Sequence, residues 1–154
     1  MTRADLLTTA RKLLGLPYIF GSKGPTSFDC SGFVTYLMKQ VGGPDWRATH
    51  GSAGLFEACP RIQEAEDWLE DITAGAPHWP CPGVQPGDLA FYGPKGRVDH
   101  VMMLADSDGR VIGASGGNSG TLTPKPGASV HYKDTVDYRP DFLGFRQFPV
   151  AMEE

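Results

Sequence analysis

The sequence predicts an α+β fold in which N-terminal helices pack on a C-terminal antiparallel sheet. Two observations carry this. Before residue 45 the apolar residues recur at helical spacing, and from Pro86 onward they fall in short runs split by glycine-, proline- and aspartate-bearing turns. Helices first and hairpin-linked strands second is the α+β order. The 154 residues suit one domain, taken as 1–154, long enough to bury a core without disulfide or metal staples.

The first helix is expected from about Thr2 to Leu14. Thr2 can cap it, with Asp5 in the capping-box position, and Leu6, Ala10, Leu13 and Leu14 would form its buried face before Gly15 and Pro17 stop it. A short extended piece follows (Pro17 to Gly21), then a loop bearing Gly24 and Pro25. The second helix opens at Cys30, with Asp29 as cap and Phe33, Val34, Leu37 and Val41 on one face, and ends near Val41 before Gly42, Gly43 and Pro44. Residues 45–85 are the least legible. A short helix through Leu55 and Phe56 would be capped by Thr49 or Ser52, an acidic solvated helix would cover 64–71, and four prolines from Pro77 to Pro86 mark an irregular loop. Strands are then expected at Asp88–Tyr92, His100–Ala105, Arg110–Ala114, Val130–Tyr132 and Phe142–Phe148. Residues 106–109 form a hairpin turn and 115–128 a glycine- and serine-rich loop.

Composition narrows the function. A net charge of −4 argues against a nucleic-acid partner and against electrostatic adhesion to an anionic membrane surface. No apolar run reaches membrane-spanning length. Met1, Thr2, Arg3, Ala4 and Asp5 lack the apolar core of a secretory signal, so the chain is expected to be cytoplasmic where it is synthesised. Three cysteines leave at least one outside any intramolecular pair. Cys59, Cys81 and His78 are one ligand short of a closed structural zinc site and lack the close cysteine pair of common zinc motifs, so no metal or cofactor is expected. The remaining reading of Cys59 and Cys81 is a pair of structural cysteines, able to form a bridge that a reducing cytoplasm would disfavour.

Cys30 is the organising residue. In the first turn of a helix the unpaired amides and the positive end of the dipole favour a thiolate, the form a nucleophile needs. The bland alternative is a small buried core residue. A cysteine nucleophile needs a base, and of His50, His78, His100 and His131 the best placed is His100, at the start of an apolar strand.

Four motifs in order then resemble the NlpC-type cell-wall peptidases: Pro17-Tyr18, Phe28-Asp29-Cys30-Ser31-Gly32, Pro86-Gly87-Asp88-Leu89 and Asp99-His100-Val101. The resemblance spans about residues 4–148, with 45–85 poorly matched. It implies a papain-like fold and a cysteine peptidase that hydrolyses amide bonds in peptidoglycan stem peptides. Cys30 would be the nucleophile and His100 the base, with amides at the helix start, including that of Cys30, around the oxyanion. Tyr18, Asp29 and Ser31 would lie near the substrate, as their equivalents do in members that read a free N-terminal amine. The resemblance departs at one point. Members commonly carry a polar residue on the next strand to orient the imidazole, and here Gly113 stands there, leaving Ser115, Asn118 and His131 as candidates. A hairpin turning at 106–109 places Ser115 across from His100.

The glycine-rich segment Ala114–Gly120 and the later Tyr138, Arg139 and Phe142–Gly144 resemble phage-type members, which implies delivery to the wall as an endolysin or alongside phage tail proteins in preference to the alternative, recycling of wall peptides inside the cell. Two other classes stay open: a catalytically silent assembly component of a tail or secretion complex, and an amidase or acyltransferase on a small amide.

Overall fold

A computed structural model describes residues 1–153. Helix α1 spans Arg3–Arg11, α2 Cys30–Gln40, α3 Ser52–Ala58 and α4 Gln63–Asp71. The strands are β1 Leu89–Tyr92, β2 His100–Leu104, β3 Val111–Ser115, β4 Ser129–Lys133 and β5 Phe142–Arg146. They form one antiparallel sheet in the order β4-β3-β2-β1-β5. Each expected strand is present to within two residues at either end. Among the described residues no helix is long and apolar enough to cross a membrane.

The capping box of α1 forms as the sequence predicts: Thr2 Oγ1 accepts from the Asp5 amide at 3.1 Å, and the Asp5 carboxylate accepts from the Thr2 amide at 2.8 Å. The helix ends at Arg11, a turn earlier than expected. Leu7 therefore joins Leu6, Ala10 and Leu13 in the core and Leu14 is left exposed. Helix α3 begins after Gly51 with no side-chain cap, so neither Thr49 nor Ser52 serves that role.

The sheet is buried on both faces, which explains why every residue of β1, β2 and β3 is buried while its neighbours alternate in direction. On one face Leu89, Phe91, Val101, Met103, Ile112 and Ala114 meet Leu6, Ala10, Phe33, Val34 and Leu37 of α1 and α2. On the other, Ala90, Tyr92, Met102, Leu104, Val111 and Phe145 meet Ala65, Cys81 and Val136, flanked by Trp68, Leu69 and Trp79. The acidic helix, expected to be solvated, thus keeps Glu64, Asp67 and Glu70 in water and turns its apolar side onto the second face. Its burial needs a partner that sequence periodicity does not reveal.

Cys59 packs in the first cluster and Cys81 in the second, on opposite faces of the sheet, so the two cannot bridge. His78 pairs with Asp137 through both its backbone amide and its ring.

The Pro86–Leu89 motif fastens the layers together. Buried Asp88 accepts from Arg3 Nη1 of α1 at 2.9 Å, from the Gln85 amide at 3.0 Å and from the Phe148 amide at 3.2 Å. This carboxylate ties the first helix, the entry to β1 and the C-terminal segment to one point. Its role is structural.

Candidate active site

Asp29 fixes the start of α2. Its Oδ1 accepts from the Gly32 amide at 2.6 Å, the cap the sequence predicts, and its Oδ2 accepts from the Gly21 amide at 3.1 Å. Gly32 has to be glycine: a Cβ there would stand 2.1 Å from the Ser22 carbonyl oxygen, so the loop before the helix folds directly over its first turn. Cys30 is thereby held at the N-terminus of α2, buried, with its thiol 4.0 Å from the Asp99 carbonyl oxygen and faced by the amides of Val101 and Ser31. Asp99 and Val101 flank His100, so the structure brings the cysteine to the strand end that carries the histidine. No hydrogen bond joins the thiol to the imidazole, among the described residues.

The electrostatics correct the expectation of a resting thiolate. Burial pushes the Cys30 thiol up to about 11, outweighing the Val101 and Ser31 amides and the Lys23 ammonium, which all favour the anion. Burial also holds the His100 imidazole down at about 3, with the positive charge of Arg139 acting in the same direction and Asp141 against it. The resting pair at neutral pH is a thiol beside a neutral imidazole. The helix dipole acts on the sulfur, but desolvation is the larger effect.

Tyr18 lies in the core beside this site. Its phenol is raised to about 12 by burial first and then by Cys30 and Asp29, so it stays protonated. The loop after β3 closes over the ring at Gly117, where a Cβ would stand 2.2 Å from Tyr18 Cδ1. Ser31 Oγ donates to Asp29 Oδ1 at 3.3 Å. Tyr18, Asp29, Cys30 and Ser31 therefore form one neighbourhood.

Of the candidates for the orienting residue, Asn118 is spent on its own turn, its Oδ1 accepting from the Gly120 amide at 2.8 Å. His131 Nδ1 is held by the Ser129 carbonyl at 2.9 Å. Met103 pairs with Ile112 and Leu104 with Val111, and continuing that register sets Ser115 opposite His100 and Gly113 opposite Met102. The space a side chain at 113 would need is filled by Met102, whose Sδ would stand 2.8 Å from a Cβ there. His100 Nε2 is left buried with no hydrogen-bond partner among the described residues.

The NlpC/P60 family profile matches residues 15–137. The chain belongs to the NlpC/P60 family. It is 30% identical over 142 residues to Protein P54 of Enterococcus faecium, covering 90% of this chain and 21% of that protein. It is 31% identical over 111 residues to the gamma-D-glutamyl-L-lysine dipeptidyl-peptidase of Bacillus cereus, covering 70% of this chain and 27% of that one. The chain thus spans about a fifth to a quarter of the length of these relatives. Among solved structures it is similar to the NlpC/p60 domain of the peptidoglycan hydrolase SagA, with a TM-score of 0.60 and 29% identity over 96% of this chain and 98% of that one. An NlpC/P60 family protein from Bacillus cereus superposes with a TM-score of 0.67 at 26% identity, covering 97% of this chain and 41% of that one. The α+β, papain-like frame expected from the sequence is the frame of these NlpC/P60 domains.

Two residues beside the site escape a reading of the sequence. Lys23 Nζ donates to both oxygens of Asp29 at 3.1 Å and to Ser31 Oγ at 3.3 Å. It sits in a loop with no periodicity, and only the fold of 21–29 over α2 brings it there. Tyr138 follows the fourth strand in a short 3-10 turn and packs against His100, ring centroids 6.4 Å apart.

Proposed function

We propose that this NlpC/P60 domain is a cysteine peptidase that hydrolyses amide bonds in peptidoglycan stem peptides, with Cys30 as nucleophile and His100 as base. The observation that carries the reading is the Cys30 thiol, fixed at a capped helix start and lying against the strand end that bears His100. Relatives named as an endopeptidase and a dipeptidyl-peptidase support the reaction class. In the reaction, His100 takes the thiol proton as sulfur bonds to the carbonyl carbon. The C–N bond then breaks and the amine leaves with that proton. Water, deprotonated by the same imidazole, releases the acid from the thioester. A neutral thiol–imidazole pair suits this order, because the base must be uncharged when the substrate arrives.

Tyr18, Asp29 and Ser31 line the substrate side of the proposal. The Asp29 carboxylate already carries the Lys23 ammonium, so a substrate amine reaching it must share or displace that partner. Delivery to the wall as an endolysin or with phage tail proteins is the finer form of the proposal, and detection of the chain in purified virions tests it.

Digestion of purified peptidoglycan and of short stem peptides by wild type, Cys30→Ala and His100→Ala, with mass spectrometry of the products, tests the activity and names the bond. Cleavage that both variants lose supports the reading. A second reading, a catalytically silent module, is favoured by the missing hydrogen bond between the Cys30 thiol and His100. Intact substrate with the wild type would decide for it.

A further inference from the structure

Two buried side-chain polar atoms lack any hydrogen-bond partner among the described residues, and they are His100 Nε2 and the Tyr138 hydroxyl. Buried polar atoms are almost always paired, so two orphans in one small region need an explanation. They belong to rings that pack edge to face, 6.4 Å between centroids at 74°. Both rings also pack on Tyr92, at 5.8 Å for His100 and 5.3 Å for Tyr138, so one wall confines them. Burial raises the Tyr138 phenol to about 12, against the Ser115 hydroxyl and the Arg139 charge, which favour the phenolate, so the group stays protonated. It is a neutral hydroxyl able both to donate and to accept.

We propose that Tyr138 is the positioning residue of His100, its hydroxyl turning onto Nε2, the other buried atom of this region that no hydrogen bond satisfies among the described residues. This rests on the reading of His100 as the base. With Nε2 enclosed, Nδ1 is the nitrogen left to serve the thiol. As base, Nδ1 must present its lone pair, so Nε2 carries the ring hydrogen and the Tyr138 oxygen accepts it. When the imidazolium forms, that acceptor stays in place and the ring does not turn. Tyr138 reaches the site from the turn between β4 and β5. The rival is Ser115, which the strand register sets opposite His100 and which also lies beside the Tyr138 hydroxyl.

Tyr138→Phe removes only the hydroxyl and whatever it shares with the nearby Ser115 hydroxyl, and it keeps the ring that packs on Tyr92 and His100. The experiment compares wild type, Tyr138→Phe and Ser115→Ala in stem-peptide hydrolysis and in the imidazole 15N spectrum of His100. Expected for Tyr138→Phe are a kcat lowered roughly ten- to hundredfold with KM unchanged, and a shift of the His100 tautomer ratio away from Nε2–H. Ser115→Ala should leave both readouts near wild type. An unchanged tautomer ratio in Tyr138→Phe, or its change in Ser115→Ala alone, overturns the proposal. If no protein cleaves substrate, the peptidase reading fails separately, while the 15N spectrum still decides the pairing.

Discussion

Protonating His100 should destabilise the folded protein in acid, and the size of the effect tests whether the resting site is neutral. The imidazole is held at about 3 in the fold and ordinarily titrates near 6.5. Between those values the unfolded chain binds a proton that the folded one does not. The contribution to stability is therefore fully present above about pH 6.5 and is lost as pH falls toward 3. At about pH 4 some 2.5 units of this window have been crossed, and at roughly 1.4 kcal/mol per unit that is about 3 kcal/mol. The perturbation is His100→Gln, which keeps a polar side chain and removes the titration. Urea unfolding of both proteins at about pH 7 and pH 4 gives the two losses, and their difference cancels every other titrating group. Wild type should lose about 3 kcal/mol more than the variant over that interval. Equal losses within roughly 0.5 kcal/mol would refute the reasoning, because they would mean that His100 titrates in the fold as it does in the unfolded chain, and a smaller loss in wild type than in the variant would mark an imidazolium held beside a thiolate.

Other substitutions test the scaffold. Asp88→Ala strips the partner from Arg3 and from the Gln85 and Phe148 amides, and chemical denaturation should show a loss of about 3 kcal/mol or more. Asp29→Ala removes the cap of α2 and should cost about 2 kcal/mol by the same measurement, with Asp29→Asn retaining part of the cap. Lys23→Met takes away a charge that lowers the Cys30 pKa, so iodoacetamide should alkylate the thiol more slowly at mildly alkaline pH. Gly117→Ala drives a methyl into the Tyr18 ring and should destabilise by about 1–3 kcal/mol, read as a lowered thermal midpoint.

The elements of the fold were largely legible because their signals are local. Thr2 with Asp5, and Asp29 ahead of Cys30, specify helix starts within a few residues of chain, and both caps form. The hairpin at 106–109 was readable from its turn residues, and with it the register that pairs Leu104 with Val111 and Met103 with Ile112. Residues 45–85 resisted because their ordering force is not local. The apolar side of α4 and the segment around Trp79 and Cys81 make sense only against the second face of a sheet that lies later in the chain. Leu14 was misplaced for a smaller reason: the spacing continues past Arg11 while the helix does not.

Cysteine at a capped helix start and histidine at a strand start are facts of sequence, and so are the ordered motifs that mark an NlpC/P60 domain. Tertiary structure decided the rest of the site. It buried the thiol and the imidazole together, and desolvation made both neutral where the helix dipole alone favours a thiolate. It laid Lys23 on Asp29 and Tyr138 against His100, from loops whose residues carry no period to read. Caps, turns and amphipathic faces act over a few residues, so a sequence displays them. Burial and long-range pairing depend on which distant segments share a space, and only the packed chain settles that.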